Sequence, residues 1–337
     1  MKKLATWSAV VALSLAFSGS ALALGNELDN EGAEDGPSIL PWTTSDGGTV
    51  AQGSRTLGIN QRTGAWFFDM SAVVTGGGTN SLTQRVDVDG CSLSLNDVDL
   101  LGTWDASGWI VTQGSGETGD FGTMKIDFTP GPSTTDAGLQ SPTAAAYVLK
   151  VAGGTIPVAA TSADLTISGT ADPVTQTFPD VQWDDMVFEI DCVVKSAKIS
   201  GKLATRRPTH VFGGAVGLLE SDDIAPGSII TISYKRSVDA LGTGKNVSCD
   251  FTEDGGTTDI TGDVVTLTGW SYLCNDPGPA SGTAILVLVD RDTDGPRGSI
   301  CVDAESDDGL DILTGDSLCD AGGDQVDIDK GNVIVND

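Results

Sequence analysis

Apolar residues recur at every second position in several segments of this chain. The pattern is clear in residues 66–74, 124–128, 186–194 and 230–234, and a glycine or proline cluster follows the first two of these segments. Alternation with a period of two is typical of half-buried β-strands, whose successive side chains point to opposite faces of a sheet. With 44 Gly and 13 Pro, the chain is predicted to be all-β, with many short strands joined by turns.

Aspartate dominates the acidic residues, with 39 Asp against 8 Glu among the 47 acids. The short Asp carboxylate bonds to nearby backbone in turns, whereas Glu favours helices. The composition therefore predicts Asp/Gly-rich loops between the strands.

The N-terminus resembles a bacterial secretory signal. Lys2 and Lys3 precede an apolar stretch at residues 10–17, which ends in an Ala-Leu-Ala cleavage site at residues 21–23. The apolar stretch is shorter than the roughly 20 residues that a membrane helix needs. We expect residues 1–23 to be removed and the protein to be secreted or held at the cell surface, with the periplasm as the alternative.

Cleavage after Ala23 leaves 16 basic residues against 47 acidic ones, a net charge of −31. This balance disfavours nucleic acid as a partner, because phosphate binding needs clustered Lys and Arg. It equally disfavours anionic lipid. Divalent cations or cationic partners match the negative charge better. The alternative is that the acidity has no binding role and only keeps the protein soluble. No second long apolar segment follows, so no membrane span is expected in the mature chain.

Six cysteines lie in the exported region, and an even number in an oxidising compartment favours disulfides over metal thiolates. Six cysteines allow 15 connectivities. The preferred set pairs neighbours in the C-terminal half and leaves the two remaining cysteines to join distant strands: Cys249 with Cys274, Cys301 with Cys319, and Cys91 with Cys192.

At about 314 residues, the mature chain exceeds the usual size of a single domain. We expect two antiparallel β-sandwich-like domains, at residues 55–170 and 183–337. Residues 24–54 would form an acidic, irregular N-terminal segment, and the Pro-interrupted stretch 171–182 a linker. One large sandwich and a β-solenoid are the alternatives.

A calcium motif follows the apolar run at residues 284–289. Three aspartates at alternate positions are closed by Gly295, which lets a tight loop direct several carboxylates at one Ca²⁺. This segment resembles the calcium loops of EF-hand and related D-x-D-x-D-G proteins over six residues. The twelfth position carries Cys301 where an EF-hand has glutamate, so the next segment would supply the missing carboxylate. The candidate calcium ligands are Asp290, Asp292, Asp294, Asp303 and Glu305.

Fourteen acidic residues and three basic ones occupy residues 290–337. So dense a negative region repels itself unless it is solvated or bridged by cations, which favours calcium at one or more sites. The alternative is an exposed cluster of ordinary Asx-turns. Asp87 and Asp89, before Gly90, form a weaker pattern of the same kind, expected to be a plain turn.

Catalytic motifs are absent from the sequence. His210 is the one histidine, so a single chain cannot build a multi-histidine metal site, and no G-x-S-x-G elbow, H-E-x-x-H, P-loop or dinucleotide fingerprint occurs. We expect His210 to lie at a strand edge. Two pairs of aromatic residues are candidates for stacking on a sugar: Trp104 with Trp109, and Trp270 with Tyr272. The alternative is that these side chains pack in the core or in turns.

Three functions follow from these patterns. The first is a secreted structural or adhesive cell-surface protein, stabilised by calcium, non-catalytic, and assembling with itself or a surface partner through strand edges. The second is a calcium-dependent glycan-binding β-sandwich. The third is a glycan-degrading enzyme that uses two carboxylates, which would require converging acids in a cleft.

Overall fold

The computed structural model describes most of the chain beyond its N-terminal segment. The described residues are 26–35, 40–44, 49–52, 62–71, 78–95, 97–112, 120–135, 139–140, 146–171, 179–203, 210–237, 244–275, 281–290, 299–306, 326–327 and 330–336. This part of the protein is all-β and contains no helix, and none of it forms a helix that could span a membrane.

Twenty-three strands make up the described fold. In chain order they are β1 (Thr43–Thr44), β2 (Thr49–Gln52), β3 (Trp66–Asp69), β4 (Thr79–Asp87), β5 (Leu93–Leu95), β6 (Val98–Leu100), β7 (Thr103–Thr112), β8 (Phe121–Thr129), β9 (Ser133–Thr135), β10 (Leu139–Gln140), β11 (Val148–Thr155), β12 (Ser162–Thr170), β13 (Val181–Asp191), β14 (Val193–Leu203), β15 (His210–Leu219), β16 (Ile229–Ser237), β17 (Gly244–Thr252), β18 (Thr257–Thr261), β19 (Val264–Cys274), β20 (Ser281–Val289), β21 (Ser299–Ser306), β22 (Val326–Asp327) and β23 (Lys330–Asn336).

Two sheets of the N-terminal half pack face to face as a β-sandwich. One has the order β1-β4-β12-β8-β10, with β9 beside β8, and the other has the order β11-β7-β13-β3-β2. Leu82, Ile126 and Leu165 from the first sheet share one buried cluster with Trp104 and Trp183 from the second. Burial of these alternating apolar faces is the main force that holds the two sheets together.

The C-terminal half forms a ten-stranded sheet with the order β22-β21-β20-β19-β17-β16-β15-β14-β23, and β18 pairs with β19. Its inward residues, from Ala197 on β14 through Phe251 on β17 to Val333 on β23, belong to one buried cluster. The Asp290 carboxylate, just after β20, accepts a hydrogen bond of 3.1 Å from the Val335 N–H on β23. The sheet therefore curls so that distant strands enclose a common core.

A hairpin of β5 and β6 joins the two halves. Leu100 of this hairpin is buried with Val193, Ala215 and Leu219 of the ten-stranded sheet. The Leu101 N–H also donates to the Pro226 carbonyl at 2.9 Å. The halves are thus connected by apolar packing as well as by the chain.

The change from one set of sheets to the next falls at Cys192, between β13 and β14. Residues 181–191 pair with β7 and β3 of the sandwich, so the expected linker at 171–182 runs into a strand of the first unit. The Pro-containing stretch 171–179 ends before this strand begins, and no glycine or proline marks the change of sheet at residue 192. A division of the chain into two folding domains stays a prediction.

Two disulfides are present within the described residues, Cys91–Cys192 and Cys249–Cys274. Both are pairs preferred from the sequence. Cys301 is also disulfide-bonded, and its expected partner, Cys319, lies outside the described residues. Cys91–Cys192 closes a 101-residue separation next to the junction of the two halves.

Candidate functional site

The outer face of the five-stranded sheet presents three rows of side chains across β11, β7 and β13. The strand register places Leu149, Trp109 and Asp184 in the first row and Val151, Ser107 and Val187 in the second. Gly153, Asp105 and Glu189 form the third row. The opposite faces of the same strands, with Trp104 and Phe188, are in the sandwich core. Alternation therefore creates a mixed polar and apolar surface directly above the core.

A β-bulge in β13 shapes the first row. The register between β13 and β7 shifts between Asp184 and Val187, and Asp185 has a positive φ of 46°. Gly108 lies opposite this bulge, and a Cβ placed on Gly108 would be 2.4 Å from the Met186 Sδ. Glycine here leaves room for Met186 to turn into the core while Asp185 points outwards.

The N-terminal segment covers the edge of β13 beyond the end of β3. The Asn26 side chain donates to the Met186 carbonyl and accepts from the Phe188 N–H, both at 2.9 Å. The Met186 N–H also donates to the Glu31 carbonyl at 2.9 Å. These contacts satisfy backbone groups that the bulge would otherwise expose, and they fix the strand beneath the site.

The segment that leads into β3 is held by two carboxylates. Asp184 Oδ2 accepts from the Arg62 N–H at 2.8 Å and from the Thr63 N–H at 3.3 Å. Glu34 Oε1 accepts from the N–H groups of Ala65 and Trp66, both at 3.0 Å. The two acids therefore set the position of Arg62.

Arg62 covers one face of the Trp109 ring. Its guanidinium carbon lies 3.9 Å from the ring centroid, and the same guanidinium forms an ion pair with Asp185. Cation–π contact of this kind stabilises both side chains and holds the indole in a fixed orientation. Trp109 is partly exposed, so the first row has a preorganised aromatic side chain at its centre.

Burial changes the acid–base properties of two side chains near this row, Asp184 and Tyr147. Burial, reinforced by the charge of Asp185, raises the pKa of the Asp184 carboxyl to about 6, against the opposing effect of the backbone N–H donors. Burial, followed by the charges of Asp184 and Asp185, also raises the pKa of the Tyr147 hydroxyl. Asp184 is fully buried, so its carboxyl serves the fold around Arg62 rather than an incoming ligand.

A depression of about 290 Å³ lies over the second and third rows. Asp105 and Glu189 are directly opposite on antiparallel strands, and Ser107 lies in the neighbouring row between Val151 and Val187. A Cβ placed on Gly153 would be 2.4 Å from an Asp105 carboxylate oxygen, so Gly153 makes room for that carboxylate. Within the described residues, neither Asp105 nor Glu189 has a hydrogen bond or ion pair.

A second groove, of about 400 Å³, lies along β1 and β4 of the six-stranded sheet. Two of its three charged side chains satisfy each other, since Arg85 makes two hydrogen bonds of 2.7 Å to the Asp164 carboxylate and only Asp29 lies outside this pair. It therefore offers an incoming polar ligand fewer available groups than the depression does.

The calcium ligands expected from the sequence fall mainly outside what the structure describes. Asp292 and Asp294 lie outside the described residues, and Asp303 and Glu305 lie on β21, where they pair with Ile285 and Thr283. Among the described residues no group of three acids, His or Cys is close enough to hold a metal ion. Calcium binding stays a prediction.

The weaker Asp pattern before Gly90 forms a turn. Asp87 makes an Asx-turn by accepting a hydrogen bond of 3.0 Å from the Asp89 N–H.

The aromatic candidates separate clearly. Trp104, Trp270 and Tyr272 are buried in the cores, and Trp109 alone of the four reaches the surface. Trp104 and Trp109 lie on β7 rather than in turns. His210 begins β15, which runs between β14 and β16 in the sheet interior and not at an edge, and it is buried.

The sequence reasoning missed Asp105, Ser107 and Glu189. Residues 103–110 do alternate, with Asp105 and Ser107 opposite Trp104 and Ala106, but their Gly and Asp content favoured a turn. The long-range register that brings Glu189 beside Asp105 has no signal in a single sequence.

These observations define the protein as an all-β protein, built from an antiparallel β-sandwich and a curled ten-stranded sheet and braced by disulfides. No family model and no curated protein matches the chain.

Solved structures similar to this chain include carbohydrate-binding modules and a phage protein. TmCBM61, solved with β-1,4-galactotriose, has a TM-score of 0.36 and 16% identity, covering 49% of this chain and 97% of that one. The N-terminal CBM22-1–CBM22-2 tandem of Xyn10C from Paenibacillus barcinonensis has a TM-score of 0.36 and 14% identity, covering 95% and 86%. The enzymatically active domain of tailspike protein 4 of bacteriophage CBA120 has a TM-score of 0.34 and 16% identity, covering 49% and 21%.

Proposed function

We propose that this protein is an exported, non-catalytic glycan-binding protein, and that the depression on the outer face of the five-stranded sheet holds the saccharide. The observation that carries the proposal is the pair of carboxylates of Asp105 and Glu189, which face each other beside Ser107 without protein partners among the described residues.

Saccharides match this surface chemically. A sugar ring presents hydroxyl donors around its rim and C–H groups on its faces. The two carboxylates accept hydrogen bonds and the Ser107 hydroxyl both accepts and donates them, while Val151 and Val187 supply apolar contact. Trp109 adds an aromatic edge held by Arg62. A few fixed polar groups within an apolar lining are typical of small-molecule sites.

The net charge of the depression selects among saccharides. Asp105 and Glu189 would repel uronates and sulfated sugars, so the favoured ligands are neutral oligosaccharides. Calcium bound at residues 290–295, which we call the Asp290 loop, would stabilise the C-terminal half rather than contact the sugar. A secretory signal at residues 1–23 would direct the protein, and therefore binding, outside the cytoplasm.

The proposal is tested by exposing the purified mature protein to immobilised neutral, acidic and amino polysaccharides. Ser107→Trp fills the depression, and Thr166→Trp, on β12 of the opposite sheet, adds the same bulk elsewhere as the matched control. We expect wild type and the control to bind a neutral glycan and Ser107→Trp to lose binding at least tenfold. Equal binding by all three proteins would contradict the site.

A second candidate function, a self-assembling surface protein, is favoured by the exposed edge of the sandwich. β11 ends the five-stranded sheet within the described residues, and Val148, Leu149 and Val151 are 42%, 44% and 64% exposed. An apolar edge of this kind is suited to pairing with another strand. Val148→Lys would block such pairing, and sedimentation would show a loss of oligomers. A monomeric wild type at all concentrations would rule this function out.

A further inference from the structure

β11 ends the five-stranded sheet, with one side unpaired among the described residues. The Ile156 N–H, just after β11, donates to the Gly102 carbonyl at 2.8 Å, so the main chain of residue 156 faces β7. In an antiparallel strand the N–H and C=O groups of alternate residues face opposite neighbours. The groups that face away from β7 are therefore those of four residues, which we call the open edge: Leu149, Val151, Gly153 and Thr155.

The sequence of β11 does not protect this edge. Edge strands are usually shielded by a proline, a β-bulge or several charges. β11 contains no proline, pairs with β7 along its 8 residues without a shift in register, and carries one charge, on Lys150. All four residues of the open edge are exposed. The edge is thus available to another strand.

The charge around β11 favours a second copy of this chain as that strand. Two copies of a chain with a net charge of −29 repel each other, so they approach with least repulsion where acids are absent. Residues 137–163 contain no Asp or Glu, although the chain has 47 acids. The exposed side chains of Val148, Leu149 and Val151 add apolar contact.

A twofold axis at Ala152 would use the whole open edge. It sets Leu149 opposite Thr155 of the second copy, and Val151 opposite Gly153 of the second copy. All four residues of each edge then exchange hydrogen bonds. Lys150 faces a glycine rather than its own counterpart, which avoids a like-charge pair. Because both edges are used, the assembly closes at two copies.

This pairing would join the two depressions. Val151 and Gly153 line the depression of their own chain. The row of Val151 and Ser107 continues into the row of Gly153 and Asp105 of the second copy. With strands about 4.8 Å apart, the two Asp105 residues lie three strand spacings, about 14 Å, apart across the sheet. This separation exceeds the screening length of about 8 Å at physiological salt, so their repulsion is small.

We propose that the protein forms a twofold dimer through β11, and that its two depressions form one groove for a neutral oligosaccharide. The groove rests on the proposed saccharide function, whereas the dimer does not. An oligosaccharide that reaches both depressions gains a second set of contacts at high effective concentration, and a shorter one does not.

Sedimentation velocity of the full mature protein, over about a hundredfold range of concentration, tests the interface without a ligand. The test variant is Thr155→Pro, which removes an N–H that β7 does not use. Its matched control is Thr155→Ala, which loses the same side chain and keeps the N–H. We expect wild type and the control to dimerise, more strongly as salt screens the negative charge, and Thr155→Pro to dimerise at least tenfold more weakly.

Three results would overturn the dimer: a monomeric wild type, a Thr155→Pro variant that associates like wild type, and growth beyond two copies. Thermal melting separates association from folding. Thr155→Pro should keep a cooperative melting transition, because its N–H is not bonded to β7. Loss of that transition would show that this N–H serves the fold, and would also overturn the open edge.

Calorimetric titration then tests the groove with two-unit and six-unit oligomers of cellulose, galactan and dextran, at concentrations where wild type is dimeric and Thr155→Pro monomeric. In at least one series, we expect wild type to bind the six-unit oligomer at least tenfold more tightly than Thr155→Pro, and both proteins to bind the two-unit oligomer equally. Equal affinity for the six-unit oligomer would overturn the joined groove. A dimer that binds none of these saccharides would contradict the saccharide function, and the groove with it, while the dimer itself would stand.

Discussion

At the scale of single residues, Asp184 has the most distinctive chemistry in the described structure. Its carboxylate is buried yet accepts backbone N–H groups from Arg62, Thr63 and Asp185. Burial raises its pKa from 3.8 to about 6. The folded protein therefore favours the protonated form of the Asp184 carboxyl.

The sign of the resulting pH dependence is fixed. Because the pKa of Asp184 is higher in the folded protein than in the unfolded one, its contribution to stability is fully present below pH 3.8 and is lost as pH rises through about 6. A shift of this size corresponds to on the order of 3 kcal/mol. Asp184→Asn should remove this component, so the free energy of unfolding should fall less between pH 4 and pH 7, roughly the window of the shift.

Denaturant unfolding at both ends of that pH range checks the prediction, with Asp254→Asn, between β17 and β18, as the control for an exposed acid. A variant whose pH slope equals that of wild type would show that Asp184 does not titrate as described.

Arg62 offers a second residue-scale test. Arg62→Lys keeps the positive charge but loses the planar stacking group over Trp109. Saccharide affinity should fall about threefold to tenfold through the loosened indole, a cost of about 1 kcal/mol. Calorimetric titration measures this effect, and unchanged affinity would remove Trp109 from the site.

At the scale of strands and covalent links, the two described disulfides differ in the loops that they close. Cys91–Cys192 spans 101 residues and Cys249–Cys274 spans 25. In the chain-entropy model these loops correspond to about 4.7 and about 3.5 kcal/mol. Replacing Cys91 and Cys192 by Ser should therefore destabilise the protein more than replacing Cys249 and Cys274.

Denaturation midpoints of the two paired variants decide the order. A smaller loss for the Cys91–Cys192 variant would show that its unfolded state keeps the two halves together, or that Cys249–Cys274 carries packing in the curled sheet.

The strands also show which features the sequence could predict. The alternation of Met124, Ile126 and Phe128 predicted an inward face, and all three are buried. Met186 and Phe188 are buried as expected, but Val194 is 49% exposed because the chain passes from β13 to β14 at Cys192 and the alternation restarts. Local periodicity contains no information about such a change of sheet.

The candidate site depends on longer-range features. Asp105 and Glu189 are 84 positions apart in the numbering, and only the pairing of β7 with β13 brings them together. The bulge that directs Asp185 outwards is likewise a property of this pairing. A single sequence indicates that strands exist but not which strands become neighbours, so the site could not be predicted from it.

At the scale of the whole molecule, a net charge of −29 makes cations a general influence on stability. If the Asp290 loop binds calcium, Ca²⁺ should raise the melting temperature at constant ionic strength, and Asp292→Asn with Asp294→Asn should abolish the increase. Asp87→Asn with Asp89→Asn is the matched control, since Asp87 forms an ordinary Asx-turn. A full response in the first variant would place the calcium elsewhere.

The central claim is that Asp105 and Glu189 bind saccharide hydroxyls, and calorimetric titration with neutral oligosaccharides of three to six sugars tests it most directly. The proteins compared are wild type, Asp105→Asn with Glu189→Gln, and Asp127→Asn with Asp254→Asn as the control of equal charge. Loss of charged hydrogen bonds of about 1.5–3 kcal/mol each predicts at least tenfold weaker binding by the first variant alone. Equal affinity in all three proteins would contradict the proposed site.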